Sequence, residues 1–217
     1  MLEKMGEFFD ARLADYEEHQ LTSIESAREF YPFTAACLPR LPYSAVLDLG
    51  CGTGLELGYY FDLVPTARVT GVDLAPGMLE TLRGKFPGKT LTLIRGSYFD
   101  VPFGENAFDA AVSVESLHHF TKDEKLPLYR KLRAALKPGG YFLLSDYFAL
   151  SDEEERLRRR ELLRLKAEQG LPEKEFYHYD TPLTLAHETE ALLEAGFASV
   201  EVLGRWAATS TLKAVKT

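Results

Sequence analysis

Cysteine is scarce in this chain, with two in 217 residues, Cys37 and Cys51. Two thiols exclude a disulfide framework and a four-thiolate zinc site, so each is expected to be a reduced, packed side chain. Long apolar runs are missing as well. No window approaches the roughly 18 apolar residues of a membrane span, and the opening MLEKMGEFFD lacks the apolar stretch of a signal peptide. A cytoplasmic location with no membrane partner is the resulting expectation. Positive charge is in deficit, 25 Lys plus Arg against 33 acids for a net charge of −8, which works against a broad non-specific nucleic-acid surface. Neither an internal repeat nor a low-complexity segment interrupts the chain.

What is present is the composition of an ordinary folded domain, 46% hydrophobic and 27% charged. The length suits one domain with a full core, read here as residues 1–217. Residues 1–42 have apolar and aromatic positions at helical spacing and predict a cap of short helices, ended by Pro39 and Pro42. Strand-like runs follow at AVLDLG, RVTGVD, TLTLIR, FDAAVSV and YFLLSD, separated by helical patterns. Such alternation predicts a parallel sheet covered on both faces. Thr121 and Glu124 have the spacing of a capping box, opening a helix expected to run through LYRKLRAALK to Pro138, and Pro76 stands where a first helical residue would. Residues 43–150 thus form a core and 151–182 a helical insertion or lid. Residues 183–217 supply a last helix near Leu185 to Ala195 and two β-rich runs, ASVEVLG and ATSTLKAVK, expected to pair antiparallel.

The segment VLDLGCGTGLELG, Val46 to Gly58, carries the first functional signal. Glycine at positions 50, 52 and 54 lets a strand-to-helix turn take positive φ and lets a ligand approach the backbone closely. A tight turn alone would explain a lone glycine pair. Here the turn follows a buried strand and opens a helix, and Asp73 ends the next strand near the separation expected of a ribose-binding carboxylate. Alternate glycines do not match the G-x-G-x-x-G dinucleotide spacing, and Asp48 beside them would repel a pyrophosphate and attract a cation. A nicotinamide-dependent oxidoreductase, or a cofactor-binding protein without transferase activity, is therefore the weaker alternative.

These residues resemble motif I of the class I S-adenosylmethionine-dependent methyltransferases. GVDLAPGML is similar to that family's acidic second motif, FDAAVSVESLHHF to its fourth strand and following loop, and LKPGGYFLLSD to the strand after it. The resemblance implies a Rossmann-like three-layer α/β sandwich, with a mostly parallel seven-stranded sheet and an antiparallel C-terminal edge pair. It implies S-adenosyl-L-methionine as cofactor, with Gly50, Cys51, Gly52 and Gly54 along the methionyl part and ribose, and Asp48 toward the amino group. Asp73 would accept both ribose hydroxyls, and Leu74 and Met78 would flank the adenine. Ser97 and Tyr98 follow the third strand, and Ser97 stands where the family usually has an acid for the adenine amino group, which weakens that contact. Val114 and Glu115 end the fourth strand beside the cofactor. Tyr16 resembles the aromatic by which the N-terminal segment closes over it.

Methyl transfer from a sulfonium is an in-line displacement that needs alignment and water exclusion, so no metal is required. A base matters only where the acceptor must lose a proton, and His118 and His119 in SLHHF are the candidates, against a packing role for either. The acceptor is expected to be a small molecule. The arginines of RLRRRELLRLK raise tRNA as an alternative partner, yet Ser151 with Glu154 reads as a capping box and Glu154 to Arg158 and Glu155 to Arg159 as i,i+4 pairs of a solvated helix. FYHYD, Phe176 to Asp180, has the content of a substrate lid but equally that of a packed return segment. The C-terminal order HETEALLEAGF then TLKAVK resembles the branch holding the carboxy-S-adenosylmethionine synthases of tRNA wobble-uridine modification, whose carboxylated cofactor is held by an arginine in the helix before AGF. Ala191 aligns there, which favours ordinary S-adenosylmethionine. The acceptor atom and the oligomeric state are not legible.

Overall fold

Each of the five apolar runs becomes a strand; the central AVLDL and FDAAVSV are buried on both faces because helices pack on either side, whereas TLTLIR at the sheet edge is only partly buried. In the computed structural model, which describes residues 1–172 and 175–217, these are β1 (Ala45–Leu49), β2 (Arg68–Asp73), β3 (Thr90–Arg95), β4 (Phe108–Val114) and β5 (Leu136–Tyr147). The C-terminal hairpin adds β6 (Ser199–Trp206) and β7 (Thr209–Val215). The sheet order is β3-β2-β1-β4-β5-β7-β6, parallel through β5, with β7 antiparallel to both its neighbours. The expected seven-stranded α/β architecture is thus what the chain adopts.

Alternation along the strands divides the core. Val46, Ala110 and Val112 face α3 (Ala27–Cys37), α4 (Leu55–Leu63) and α5 (Pro76–Lys85). Leu47, Leu49 and Ala111 face α6 (Lys122–Ala135) and α8 (Leu185–Glu194). Near-continuous apolar strands are what a sheet covered on both sides requires. The remaining helices are α1 (Met5–Ala11), which packs on α5, α2 (Tyr16–Ser23), which packs on α3, and α7 (Asp152–Glu168) between β5 and α8 in sequence. None of the described helices is long and apolar enough to cross a membrane.

Two local expectations need correction. The helix opened at Thr121 stops at Ala135, and β5 begins at Leu136, ahead of Pro138. A residue preceding proline is disfavoured in the α conformation. The terminal carbonyls of Ala134 and Ala135 are instead taken by the N–H groups of Asn106 and Ala107, at 3.0 and 2.8 Å. On α7, Arg158 pairs with Glu154 at 3.9 Å as expected, but Glu155 does not pair with Arg159. It accepts from Thr184 N and lies 2.8 Å from His187 Nδ1, while Arg159 reaches Asp123. Tertiary partners from α8 and α6 displace the intrahelical one.

The capping box is present: Glu124 Oε2 accepts from Thr121 N and Thr121 Oγ1, at 2.7 and 2.8 Å. Thr121→Ala is expected to lower stability by about 1 kcal/mol, measured by denaturant unfolding. A change below about 0.3 kcal/mol would show the cap to be incidental.

Candidate active site

The strand order reverses between β1 and β4, and both strands end in loops that open the same crevice, the position where ligands of open α/β sheets bind. The β1–α4 turn contributes Gly50, Gly52 and Gly54, with φ of 69°, 47° and 71°. Positive φ is required here because the chain must leave β1 while Gly50 N still donates to Val72 O at 2.9 Å. A Cβ on Gly50 would lie 2.1 Å from Ser116 Oγ. The turn is therefore wedged against the loop that follows β4.

Asp73 ends β2 with each carboxylate oxygen already oriented by a backbone donor: Gly52 N to Oδ2 at 2.8 Å and Ala75 N to Oδ1 at 2.9 Å. Burial raises its pKa, and those backbone amides work against the rise. The carboxylate has more acceptor sites than these backbone amides fill. Asp48 sits behind the turn. Burial and then the neighbouring Glu56 carboxyl hold it well above the usual range, and its Oδ2 has no hydrogen-bond partner among the described residues. Glu56, in the first turn of α4, was not singled out from sequence; an acid in a first helical turn ordinarily reads as a solvated dipole partner.

A narrow cleft of about 50 Å³ runs past this turn, lined by Tyr16, Gly50, Gly52, Asp73, Leu74, Met78, Tyr98 and Glu115, with Ser116, His119 and Phe120. Among the expected cofactor residues, Cys51, Gly54, Ser97 and Val114 do not line it, nor does Asp48. Cys51 packs inward, where its Sγ lies 2.7 Å from where a Gly71 Cβ would be. Gly54 caps α4. Ser97 Oγ accepts from Phe99 N at 3.2 Å and so serves its own turn. Val114 is buried in the core.

A second cavity of about 670 Å³ adjoins the first, and Phe9, Tyr16, Glu115 and His119 line both. Its walls come from α1 and α2, the 3₁₀ turn Leu117–His119, the return segment at His178 and Asp180, and the β6–β7 turn at Trp206 to Thr209. Only the packing of distant segments puts those last two groups here. FYHYD divides its duties: Phe176 packs on Phe99 and Phe120, whereas His178 stacks on Phe8 and Asp180 faces the cavity.

The polar floor of this cavity is closely coupled. Asp146, at the end of β5, accepts from the N–H groups of Leu117 and His118 at 2.8 and 3.1 Å, and its Oδ1 lies 2.5 Å from His118 Nδ1. Burial alone would lower the His118 pKa, but the Asp146 charge and hydrogen bond raise it to about 9. Burial and then the charge of His118 lower His119 to about 4. Glu115, at φ 49°, holds a backbone conformation that side chains rarely adopt. Burial, then Asp146, raises its carboxyl to about 8. The two histidines, Glu115 and Asp146 thus converge on one floor, joined there by Asp180 from the FYHYD segment.

A family model described as a methyltransferase domain matches residues 46–140. The chain is 29% identical to the carboxy-S-adenosyl-L-methionine synthase of Wolinella succinogenes, over 99% of this chain and 92% of that protein. It is also 29% identical to the erythromycin 3''-O-methyltransferase of Saccharopolyspora erythraea, over 72% of this chain and 51% of that protein. The chain thus spans about half the length or less of the first curated relatives it matches. Its fold superposes on an S-adenosylmethionine-dependent methyltransferase from Mesorhizobium loti with a TM-score of 0.62 at 23% identity, over 85% of this chain and 96% of that one. Glycine turn, the acid at the end of β2 and sheet order agree with these likenesses, which together support a class I S-adenosylmethionine-dependent methyltransferase.

Proposed function

We propose that this protein transfers a methyl group from S-adenosyl-L-methionine to a small-molecule acceptor bound in the larger cavity. The observation that carries this reading is the junction of the two cavities at Tyr16, Glu115 and His119, one beside the glycine turn and Asp73, the other large enough for an acceptor. The residues fit the cofactor on two counts. Gly50 leaves a cradle that a Cβ would fill, and Asp73 offers two aimed carboxylate oxygens to a pair of hydroxyls. Bound there, S-adenosylmethionine supplies an electrophilic methyl on a sulfonium.

The chain's own residues do the rest. Asp73 binds the ribose, Leu74, Met78, Tyr98 and Phe120 provide apolar walls for the adenine, and Gly50 and Gly52 let the backbone lie against the methionyl chain. The cleft is far smaller than a nucleoside because Tyr16 covers Gly52, its hydroxyl 3.4 Å from where a Cβ would stand. Admitting the cofactor therefore moves the α1–α2 segment, and its return excludes water from the transfer. His118 and His119 line the larger cavity and would hold the acceptor's nucleophile, with Glu115 lining both cavities. Ala191 is fully buried in the core on α8 and lines neither cavity, so that position offers no cation to a carboxylated cofactor.

Calorimetry with S-adenosylmethionine, S-adenosylhomocysteine and NAD tests the reading, the first two binding and NAD not. Asp73→Ala is expected to weaken binding by about 1–3 kcal/mol through the loss of two hydrogen bonds. Tight NAD binding without the other two, or an unchanged affinity in a folded Asp73→Ala protein, would sink it.

A further inference from the structure

We infer that the floor of the larger cavity is a binding site for a first-row divalent cation of the Zn2+ class, ligated by His118 Nε2, His119 Nδ1 and Asp180 Oδ1. The inference rests on the reading of that cavity as the acceptor site only for what the metal does, not for whether it binds. Ligand atoms around a tetrahedral ion with bonds of about 2.0 Å stand roughly 3.3 Å apart. Asp180 Oδ1 lies 3.1 Å from His119 Nδ1 and 3.6 Å from His118 Nε2, and the three ligand atoms lie within 4.8 Å of one another. Two of the three separations are thus already near the tetrahedral value.

The surroundings are those of a ligand set. Asp146 engages His118 Nδ1, which leaves Nε2 as the atom facing Asp180; once a cation displaces the Nε2 proton, this is the carboxylate–histidine arrangement that orients metal-binding imidazoles. Asp146 is itself fixed by the backbone N–H groups of Leu117, His118 and Tyr147. Thr181 N donates to His118 O at 2.8 Å and ties the Asp180 segment to the histidine turn. His119 Nδ1 is buried and, despite its nearness to Asp180, forms no aligned hydrogen bond among the described residues.

Two neighbouring possibilities are weaker. Glu115, His118 and Asp146 also converge, but 2.5 Å between Asp146 Oδ1 and His118 Nδ1 is a hydrogen-bond separation with no room for an ion between them. His178 is stacked flat on Phe8, with centroids 3.5 Å apart, and is not part of the converging set. Two imidazoles and one carboxylate suit zinc, cobalt or iron rather than magnesium, which prefers oxygen. Three protein ligands beside a cavity of about 670 Å³ leave a coordination position open, as catalytic sites do. The ion would bind an acceptor hydroxyl or thiol there and make its proton easier to lose. Although transfer from a sulfonium needs no metal, a poorly acidic acceptor would gain from one.

The test is direct binding to the chelator-stripped full chain, using Zn2+ against a chromophoric competitor, Co2+ for its ligand-field spectrum, and Mg2+ for comparison. Expected are one equivalent of zinc, cobalt bands without thiolate charge transfer, no competition from magnesium, and affinity lowered about 100-fold or more by Asp180→Asn and by His119→Ala. His178→Gln and Cys37→Ser should bind as the parent does. Zinc well below one equivalent, or unchanged affinity in both ligand variants with native circular dichroism, overturns the site. Because S-adenosylmethionine affinity is measured separately, metal binding without cofactor binding would refute the proposed function alone, and cofactor binding without metal would refute this site alone.

Discussion

Lys125→Met is expected to destabilise the protein by about 3–5 kcal/mol, a fall of roughly 6–20 °C in melting temperature for a chain of this size. Lys125 on α6 and Glu188 on α8 are each 1% exposed, with Nζ 2.5 Å from Glu188 Oε2. Tyr129 donates to the other oxygen of Glu188. Removing the lysine leaves a carboxylate between two helices with its charge uncompensated, and that desolvation exceeds any gain from the added apolar side chain. Lys125→Met combined with Glu188→Gln should recover most of the loss, since the amide is neutral and its oxygen can still accept from Tyr129. Unfolding by urea on the single and double variants measures both. A single-variant loss below about 1 kcal/mol, or no recovery in the double, would mean that the pair does not hold α6 to α8.

Gly50→Ala is expected to cost about 2–5 kcal/mol in stability and to abolish tight cofactor binding. Two effects add: an alanine forced to φ 69°, worth roughly 1–2 kcal/mol, and a Cβ pressed to 2.1 Å from Ser116 Oγ and 2.7 Å from Ser116 Cβ, worth about 1–3 kcal/mol as overpacking. The serine hydroxyl can rotate away, but its Cβ is fixed to the backbone, so the β1–α4 turn and the loop after β4 must separate. That is where the two halves of the cleft meet. Gly52→Ala is the comparison. Its Cβ would stand 3.4 Å from the Tyr16 hydroxyl, an ordinary contact, so only the conformational cost of about 1–2 kcal/mol remains. Equal losses in the two variants would show that crowding by Ser116 is not what makes glycine necessary at position 50.

Strand and helix positions were legible in the sequence wherever local pattern and tertiary demand agree. RVTGVD and FDAAVSV are apolar enough to be buried on both faces, and they are β2 and β4. The end of α6 was misjudged because LRAALK has good helical propensity, while pairing of Leu136 with Phe108 and of Tyr141 with Ala110 draws the chain into β5. The Glu155 partner was misjudged for a related reason. An i,i+4 neighbour is visible in sequence, but His187 is brought alongside only by the docking of α8.

By itself the sequence determined the alternation of strands and helices, the glycine turn, and the acid at the end of β2, because backbone sterics and apolar periodicity act over a few residues. Tertiary structure alone decided which expected residues reach the cleft, turning Cys51 and Ser97 away from it and setting Asp48 behind the turn. It also decided that Asp180 meets two histidines some sixty positions earlier, and that Trp206 walls the same cavity as Phe9. Those meetings follow from sheet order and loop docking, and the free energies behind them come from long-range burial, which no local pattern records.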